Sequence, residues 1–453
     1  MRNWSKELGG FLLLSFLTRI PLLGWFNAER TDSIILITLF ENKSSYWPPL
    51  YSSLLYLFNL LLKNPILSGR IVSLFSSVLS LIPLYLLARY LFNRETAKYS
   101  SLLYIFSPLP FIMGLRVLTD SLFLLFFLSA LYFYFLSLEG KDRISPFLFG
   151  IFSGLSVLTR YQGFIFLPFI LHLLITRGSK KLPLLLGTIS WIGIILWIYQ
   201  RGFGHIAQYG ERMGGMNIRE FLLWGEGFFF SLFYVLTYPV AFLSLYTIFT
   251  SSGVRERKVV NLILLLFFLW FPPHIFFHSF QLRYFLPVIS LLLILAGEGV
   301  RKSSLKKVWL PLGIISSLIL TLLSLSFQRD SFGDIQRSAE WVKENIKIPY
   351  IYSDEYWKTR FWSGKKIKPW VGEAKAGDIL VLHSGYSYLS REFNTLKKKY
   401  RYRVLYTTSS RIIPFLPDIL NPPRWSNSPY WMVLKFTPQK FSSFVIEIYG
   451  KKE

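Results

Sequence analysis

No cysteine occurs in the 453-residue chain. Disulfides, thiol nucleophiles and Cys-ligated zinc are therefore all excluded. Charge is also sparse: Asp, Glu, Lys and Arg make up 17% of the residues, against roughly 25% in an average soluble domain. Acidic groups are the scarcer sign, 25 of them against 50 lysines and arginines. No Walker loop, GxGxxG unit or Ser-His-Asp arrangement stands out, so a nucleotide-driven transporter has no support. Internal repeats and disordered tracts are missing as well.

What fills the chain is apolar. Hydrophobic residues account for 52% and aromatics for 18%. Runs such as Leu262 to Phe271 and Ile314 to Leu325, with their flanks, approach the roughly 20 residues that cross a bilayer. The first run, Leu8 to Trp25, follows the basic Met1-Arg2-Asn3-Trp4-Ser5-Lys6. It has no small-x-small cleavage site and many spans follow it, so it reads as a retained anchor rather than a signal peptide.

A net charge of +25 would suit nucleic acid, but its distribution does not. The basic residues cluster as Arg89, Arg94 and Lys98; Lys141 and Arg143; Arg177, Lys180 and Lys181; Arg255, Arg257 and Lys258; and Arg301, Lys302, Lys306 and Lys307. Each cluster closes an apolar run, the pattern of cytoplasmic loops. With those clusters inside, spans fall near 8–25, 68–90, 99–114, 120–138, 145–159, 163–176, 182–199, 227–250, 259–276, 284–300 and 308–326. The expectation is a multi-pass cell-membrane protein with about eleven transmembrane helices. Its N-terminus would be cytoplasmic and everything after Phe327 extracytoplasmic.

Two domains follow. Residues 1–326 form the membrane body, and 327–453 turn to a soluble composition. In the tail, Ile335, Ala339, Val342 and Ile346 make one helical stripe over Asp334 to Asn345. Short β-rich runs come after it: Tyr350 to Tyr352, Ile379 to Leu382, Val404 to Tyr406, Trp431 to Leu434 and Phe444 to Tyr449. Alternating helices and strands predict a small extracytoplasmic α/β domain. Two loop segments fit neither domain type. Pro49 to Leu62 is too short to span and reads as interfacial or re-entrant. Thr31 to Phe40 reads as a short helix, with Thr31 or Asp32 as its cap. The second long outer loop, Gly202 to Glu226, is rich in Gly and Met and suits a substrate-ordered lid.

Candidate chemistry gathers at the outer ends of the spans. Asp32, in Glu29-Arg30-Thr31-Asp32, could act as a base or hold a divalent cation; a helix cap or a partner for Arg30 are the structural alternatives. Asp120 follows Arg116 and stands between a functional role and a structural one, since Thr119 or Asp120 could cap a helix that starts at Ser121. Arg160 with Tyr161, and Arg283 with Tyr284, occupy two further outer turns. Outside arginines run against the positive-inside tendency. Converging, they would make an anion site suited to a lipid phosphate. His274 and His278 have the i, i+4 spacing of a metal pair, but no acid lies between them and an interfacial pair is the plainer reading. Gly150 and Gly154 form a small-xxx-small packing face.

Taken in order, several motifs resemble those of the GT-C superfamily of lipid-phosphosugar-dependent glycosyltransferases, in its protein O-mannosyltransferase and aminoarabinose-transferase branch. The pieces are Asp32 ahead of Pro48-Pro49-Leu50-Tyr51, then Gly69-Arg70-Ile71-Val72-Ser73 and Leu87-Ala88-Arg89-Tyr90-Leu91-Phe92. Ser107-Pro108, Thr119-Asp120-Ser121-Leu122-Phe123, Gly154 to Gly163 and Arg283-Tyr284-Phe285-Leu286-Pro287 complete the series. The resemblance implies a sugar carried on a polyprenyl or dolichyl phosphate, delivered to a protein, lipid or glycan acceptor without a nucleotide. It maps the family's first-loop acid onto Asp32 and the acid after its third span onto Asp120. Glu29 and Asp32 are not adjacent, unlike the acidic pair often seen in the family. The His-Pro-Asp-Glu and Trp-Trp-Asp-Tyr-Gly signatures are absent, so transfer of a single, mannose-like sugar is expected rather than of an oligosaccharide.

The expected chemistry is an inverting displacement. Arg160, Arg283 and Arg116 would neutralise the departing phosphate, and Asp32, Asp120 or Glu29 would take the acceptor's proton. The rival from another class is a polytopic transporter or flippase of polyprenyl-linked lipids, which would call for charges inside the spans.

Overall fold

The computed structural model describes residues 2–39, 47–140, 142–176, 181–201, 235–276, 282–331, 333–348, 351–370, 375–383, 398–412 and 439–451. The Gly202–Glu226 loop, His278 and the Trp431–Leu434 run lie outside them. The chain forms two compact units, one of residues 1–23 and 39–323, the other of 24–38 and 324–453.

The first unit is helical. In chain order it contains α1 (Arg2–Arg19) and, after the short α2 (Thr31–Ile37) of the other unit, α3 (Leu50–Leu62), α4 (Pro65–Leu79), α5 (Leu81–Leu91), α6 (Arg94–Phe106) and α7 (Pro108–Met113). Then come α8 (Asp120–Glu139), α9 (Ile144–Thr159), α10 (Leu167–Thr176), α11 (Lys181–Gly187), α12 (Ser190–Arg201), α13 (Tyr238–Thr250), α14 (Val254–Phe276), α15 (Leu286–Lys302) and α16 (Lys306–Gln328).

Among the described residues four helices are long and apolar enough to cross a membrane alone: Pro65–Leu91, Asp120–Glu139, Arg283–Lys302 and Lys306–Ser326. The pair Lys181–Gly187 and Ser190–Gln200, bent by 42°, makes a fifth. Shorter apolar helices stand at Leu50–Leu62, Ile144–Thr159, Tyr161–Thr176 and Tyr238–Thr250. The protein is thus a multi-pass membrane protein.

Local chemistry explains where the helices break. The expected single span at 99–114 is two helices, α6 and α7, because Pro108 drives Ser107 out of the helical region to φ −62, ψ 131. Asn64 and Asn93 cap α4 and α6 by accepting from the backbone N–H of Leu67 and Thr96. Lys63 ends α3 in the left-handed region at φ 51.

One expected cap is displaced and the other holds its position without a side-chain bond. The N-cap of α2 is Arg30, without a side-chain bond, and that of α8 is Thr119, likewise without one. The polar groups of Thr31 and Asp120 are engaged elsewhere. Close packing relies on small residues: a Cβ placed on Gly150 of α9 would meet the Gly187 carbonyl carbon at 2.7 Å.

The second unit joins α2 to α17 (Gly333–Asn345), α18 (Tyr356–Ser363) and a five-stranded sheet. Its strands are β1 (Ile351–Ser353), β2 (Ile367–Pro369), β3 (Ile379–His383), β4 (Tyr400–Ile412) and β5 (Gln439–Lys451), in the order β2-β1-β3-β5-β4. β1 pairs in parallel with β2 and β3, while β5 runs antiparallel to β3 and β4. The stripe Ile335, Ala339, Val342 and Ile346 is buried as its spacing requires. Val342 and Ile346 pack with Ile351, Ile379, Val381 and Val445 on one sheet face, and Trp370, Leu380, Leu382, Ile446 and Ile448 form a second cluster. This alternation is the two-residue period of strands covered on both sides.

Candidate functional site

In the helical unit, four of the sequence candidates come from distant parts of the chain to one place. Asp120 opens α8, Arg160 ends α9, and Arg283 with Tyr284 sits in the 3-10 turn Leu282–Phe285 ahead of α15. Arg160 Nη1 donates to Asp120 Oδ1 at 2.6 Å and to the Thr119 hydroxyl at 3.2 Å. Its Nε donates to the Gln162 side chain at 3.2 Å. Arg283 Nη1 lies 3.9 Å from Asp120 Oδ2. The Tyr284 ring takes both guanidinium groups, Arg160 at 4.6 Å and Arg283 at 5.2 Å from its centroid.

The cluster is dry. Relative exposures are 2% for Asp120, 5% for Arg160 and 1% for Arg283. Water contributes little screening there, so each charge acts strongly on its neighbours. Two arginines facing one carboxylate leave cationic character at a buried turn, and aromatic faces tolerate guanidinium well. Arg116 is also buried, in the turn that leads from α7 to Thr119. Tyr161, directly after Arg160, opens a 3-10 helix and is half-buried.

Glu29 and Asp32 belong to the other unit. Glu29 is fully buried, and Asp32 is half-buried in the first turn of α2. Beside it, the Thr31 hydroxyl donates to Glu355 Oε2 at 3.2 Å, and Lys358 Nζ lies 3.4 Å from the same oxygen. A second polar knot ties α17 to the sheet. The Asp334 carboxylate accepts from Ser410 and Ser443, each at 2.8 Å, and His383 Nε2 lies 3.0 Å from its Oδ2. Burial opposes the Asp334 charge, but the His383 contact and the two hydroxyls outweigh it and hold the carboxyl down at about 2. Next to this knot, burial pushes Asp354 up to about 7, against the pull of the backbone N–H of His383.

Sequence reasoning missed Arg19, Glu355 and Lys358. Arg19 lies within the apolar run Leu8 to Trp25, yet it is fully buried, bonds Ser15 and the Ile105 carbonyl at 3.1 Å, and lies over Phe111 at 4.6 Å. Glu355 and Lys358 stand in an i, i+3 relation on α18, a spacing too common to single them out. Among the described residues no group of three acidic, histidine or cysteine side chains could hold a metal ion.

Residues 47–199 match the family model described as dolichyl-phosphate-mannose-protein mannosyltransferase. No curated protein matches the chain. Among solved structures the chain is similar to ArnT from Cupriavidus metallidurans bound to undecaprenyl phosphate, at 12% identity and a TM-score of 0.59 over 89% of this chain and 96% of that one. It is also similar to the oligosaccharyltransferase AglB from Archaeoglobus fulgidus in complex with an inhibitory peptide and a dolichol-phosphate. That likeness has 16% identity and a TM-score of 0.52, over 81% of this chain and 64% of that one. At these identities the shared property is the fold.

Proposed function

We propose that this chain, a GT-C membrane glycosyltransferase by its fold and its family match, moves a single mannose-like sugar from a polyprenyl or dolichyl phosphate to an acceptor hydroxyl. The transfer takes place at the extracytoplasmic face by one inverting displacement. The observation that carries this reading is the buried Asp120–Arg160–Arg283–Tyr284 cluster, in which two guanidinium groups stand around one carboxylate. Mannose follows the description of the matched family, and the lipid phosphate follows the ligands named for the two similar structures.

The roles divide by charge. Arg160 and Arg283, with Arg116 nearby in sequence, take the phosphate as the anomeric C–O bond breaks and negative charge gathers on its oxygen. The anomeric carbon passes through an oxocarbenium-like state. The acceptor oxygen forms the new bond from the opposite face, and its proton passes to the Asp32 carboxylate. Asp120, already bonded to Arg160, is better suited to orienting the arginines than to accepting that proton. Glu29 is buried and stays a reserve candidate for the base. The rival reading, a transporter or flippase of polyprenyl-linked lipids, draws nothing from the matched family.

The test is Asp32→Asn in the full chain, reconstituted with dolichyl-phosphomannose. Transfer should fall by about a hundredfold or more, the usual scale for losing a general base, while binding of the lipid phosphate stays unchanged. Near-wild-type transfer would take the base role from Asp32, and Glu29→Gln would then be the decisive variant.

A further inference from the structure

The segment 24–38 is fastened to the C-terminal residues of its own unit at both ends. At its entry, Trp25 Nε1 donates to the Leu325 carbonyl at 2.8 Å and Asn27 N–H to the Arg329 carbonyl at 3.0 Å. The Arg329 guanidinium lies over the Trp25 ring at 4.9 Å. At its exit, α2 packs on α18 and Thr31 donates to Glu355. Between these points Phe26, Ala28, Ile34 and Leu36 are all buried.

A seven-residue helix has no stability of its own, and α2 lacks a side-chain cap. Its place is therefore set from outside. The first side chain of α2 that does bond is Thr31, directly before Asp32, and its acceptor is held in a buried ion pair: Glu355 is 5% exposed and Lys358 is 1%. Such pairs add little net stability and are best understood as fixing geometry.

We propose that Glu355 and Lys358 are positioning residues for sugar transfer: through Thr31 they fix α2, so that the C-terminal unit is the frame that holds Asp32. This rests on the base role given to Asp32 above. A base loosened by an ångström loses much of its effect, so the tether belongs to the rate of the chemical step and not to donor binding, for which the helical unit holds its own arginines.

The experiment compares Glu355→Gln, Lys358→Met and Thr31→Val with wild type in the full chain in nanodiscs. Thr31→Val removes the hydroxyl and leaves both charged side chains in place, so it keeps the comparison sound if the Glu355 or Lys358 variant folds poorly. Thr31→Ser is the conservative rescue. Amide exchange over residues 27–38 is read beside kcat and KM for dolichyl-phosphomannose. The expected result is faster exchange over α2 and a kcat lower by about tenfold or more, with KM within about twofold and Thr31→Ser close to wild type. Wild-type exchange and kcat in both Glu355→Gln and Thr31→Val would overturn the tether, as would a fall in kcat with exchange unchanged. If Asp32→Asn itself transfers normally, the base assignment fails and the tether's role in rate fails with it. If Asp32→Asn is inactive while the tether variants behave as wild type, the tether alone fails.

Discussion

Arg160 and Asp120 are both buried and 2.6 Å apart, and without Arg160 the carboxylate is left to the longer 3.9 Å contact with Arg283. Breaking such a pair costs about 3–5 kcal/mol, and an Arg160→Ala protein would confuse lost stability with lost binding. The double variant Arg160→Ala/Asp120→Asn separates them. Thermal stability should return toward wild type in the double variant, while affinity for dolichyl phosphate remains about ten- to a hundredfold weaker, the value of one charge-assisted bond. Recovery of both in the double variant would make Arg160 a structural partner of Asp120 only. That Asp120 bonds Arg160 was not legible in the sequence, where it stood equally well as a helix cap. The arginines were legible as a set, because each stood at the end of an apolar run on the face where basic residues are rare.

At the scale of elements, two joints carry specific expectations. The contact of α9 with α11 depends on glycine, and the Cβ of Gly150→Ala would press on the backbone at Gly187. That variant should lower the thermal midpoint measurably, whereas the exposed Leu182→Ala beside it should not. In the C-terminal unit, Asp334 joins α17 to β3, β4 and β5 through His383, Ser410 and Ser443. Its carboxyl is held near 2 in the fold and would return to about 3.9 in the unfolded chain. Because the folded value is the lower one, the stabilisation is complete above about pH 4 and is lost as the pH falls toward 2. The shift corresponds to about 2–3 kcal/mol. Asp334→Asn should remove this acid-sensitive component, so that protection of α17 in hydrogen exchange no longer changes between pH 5 and pH 3 as it does in wild type.

For the whole molecule, the division into units predicts what truncation does. Removing 327–453 takes away the partners of Asn27 and Thr31 but none of the contacts among Asp120, Arg160, Arg283 and Tyr284. A chain ending at residue 326 should still bind dolichyl phosphate and should transfer no sugar. Measured together, binding and transfer would part company. Retained transfer with only a changed acceptor preference would instead make the C-terminal domain a selector.

Composition and periodicity by themselves determined the class of this protein. Apolar runs of bilayer length, basic clusters at their ends and the stripe at Ile335, Ala339, Val342 and Ile346 are local signals, written within a few turns of chain. They sufficed for a polytopic helical body, a small α/β domain and a set of candidate residues. Only the tertiary structure decided which of these meet. Asp120, Arg160 and Arg283 are separated by 40 to more than a hundred residues, and their ion pairs arise from helix packing that no local pattern encodes. The allegiance of Thr31 to Glu355 spans 324 residues. Residues of the first loop have neither the length to form a stable helix nor enough apolar surface to form a core alone. They take their place from the domain that buries Phe26, Ile34 and Leu36, and that domain is encoded at the far end of the chain.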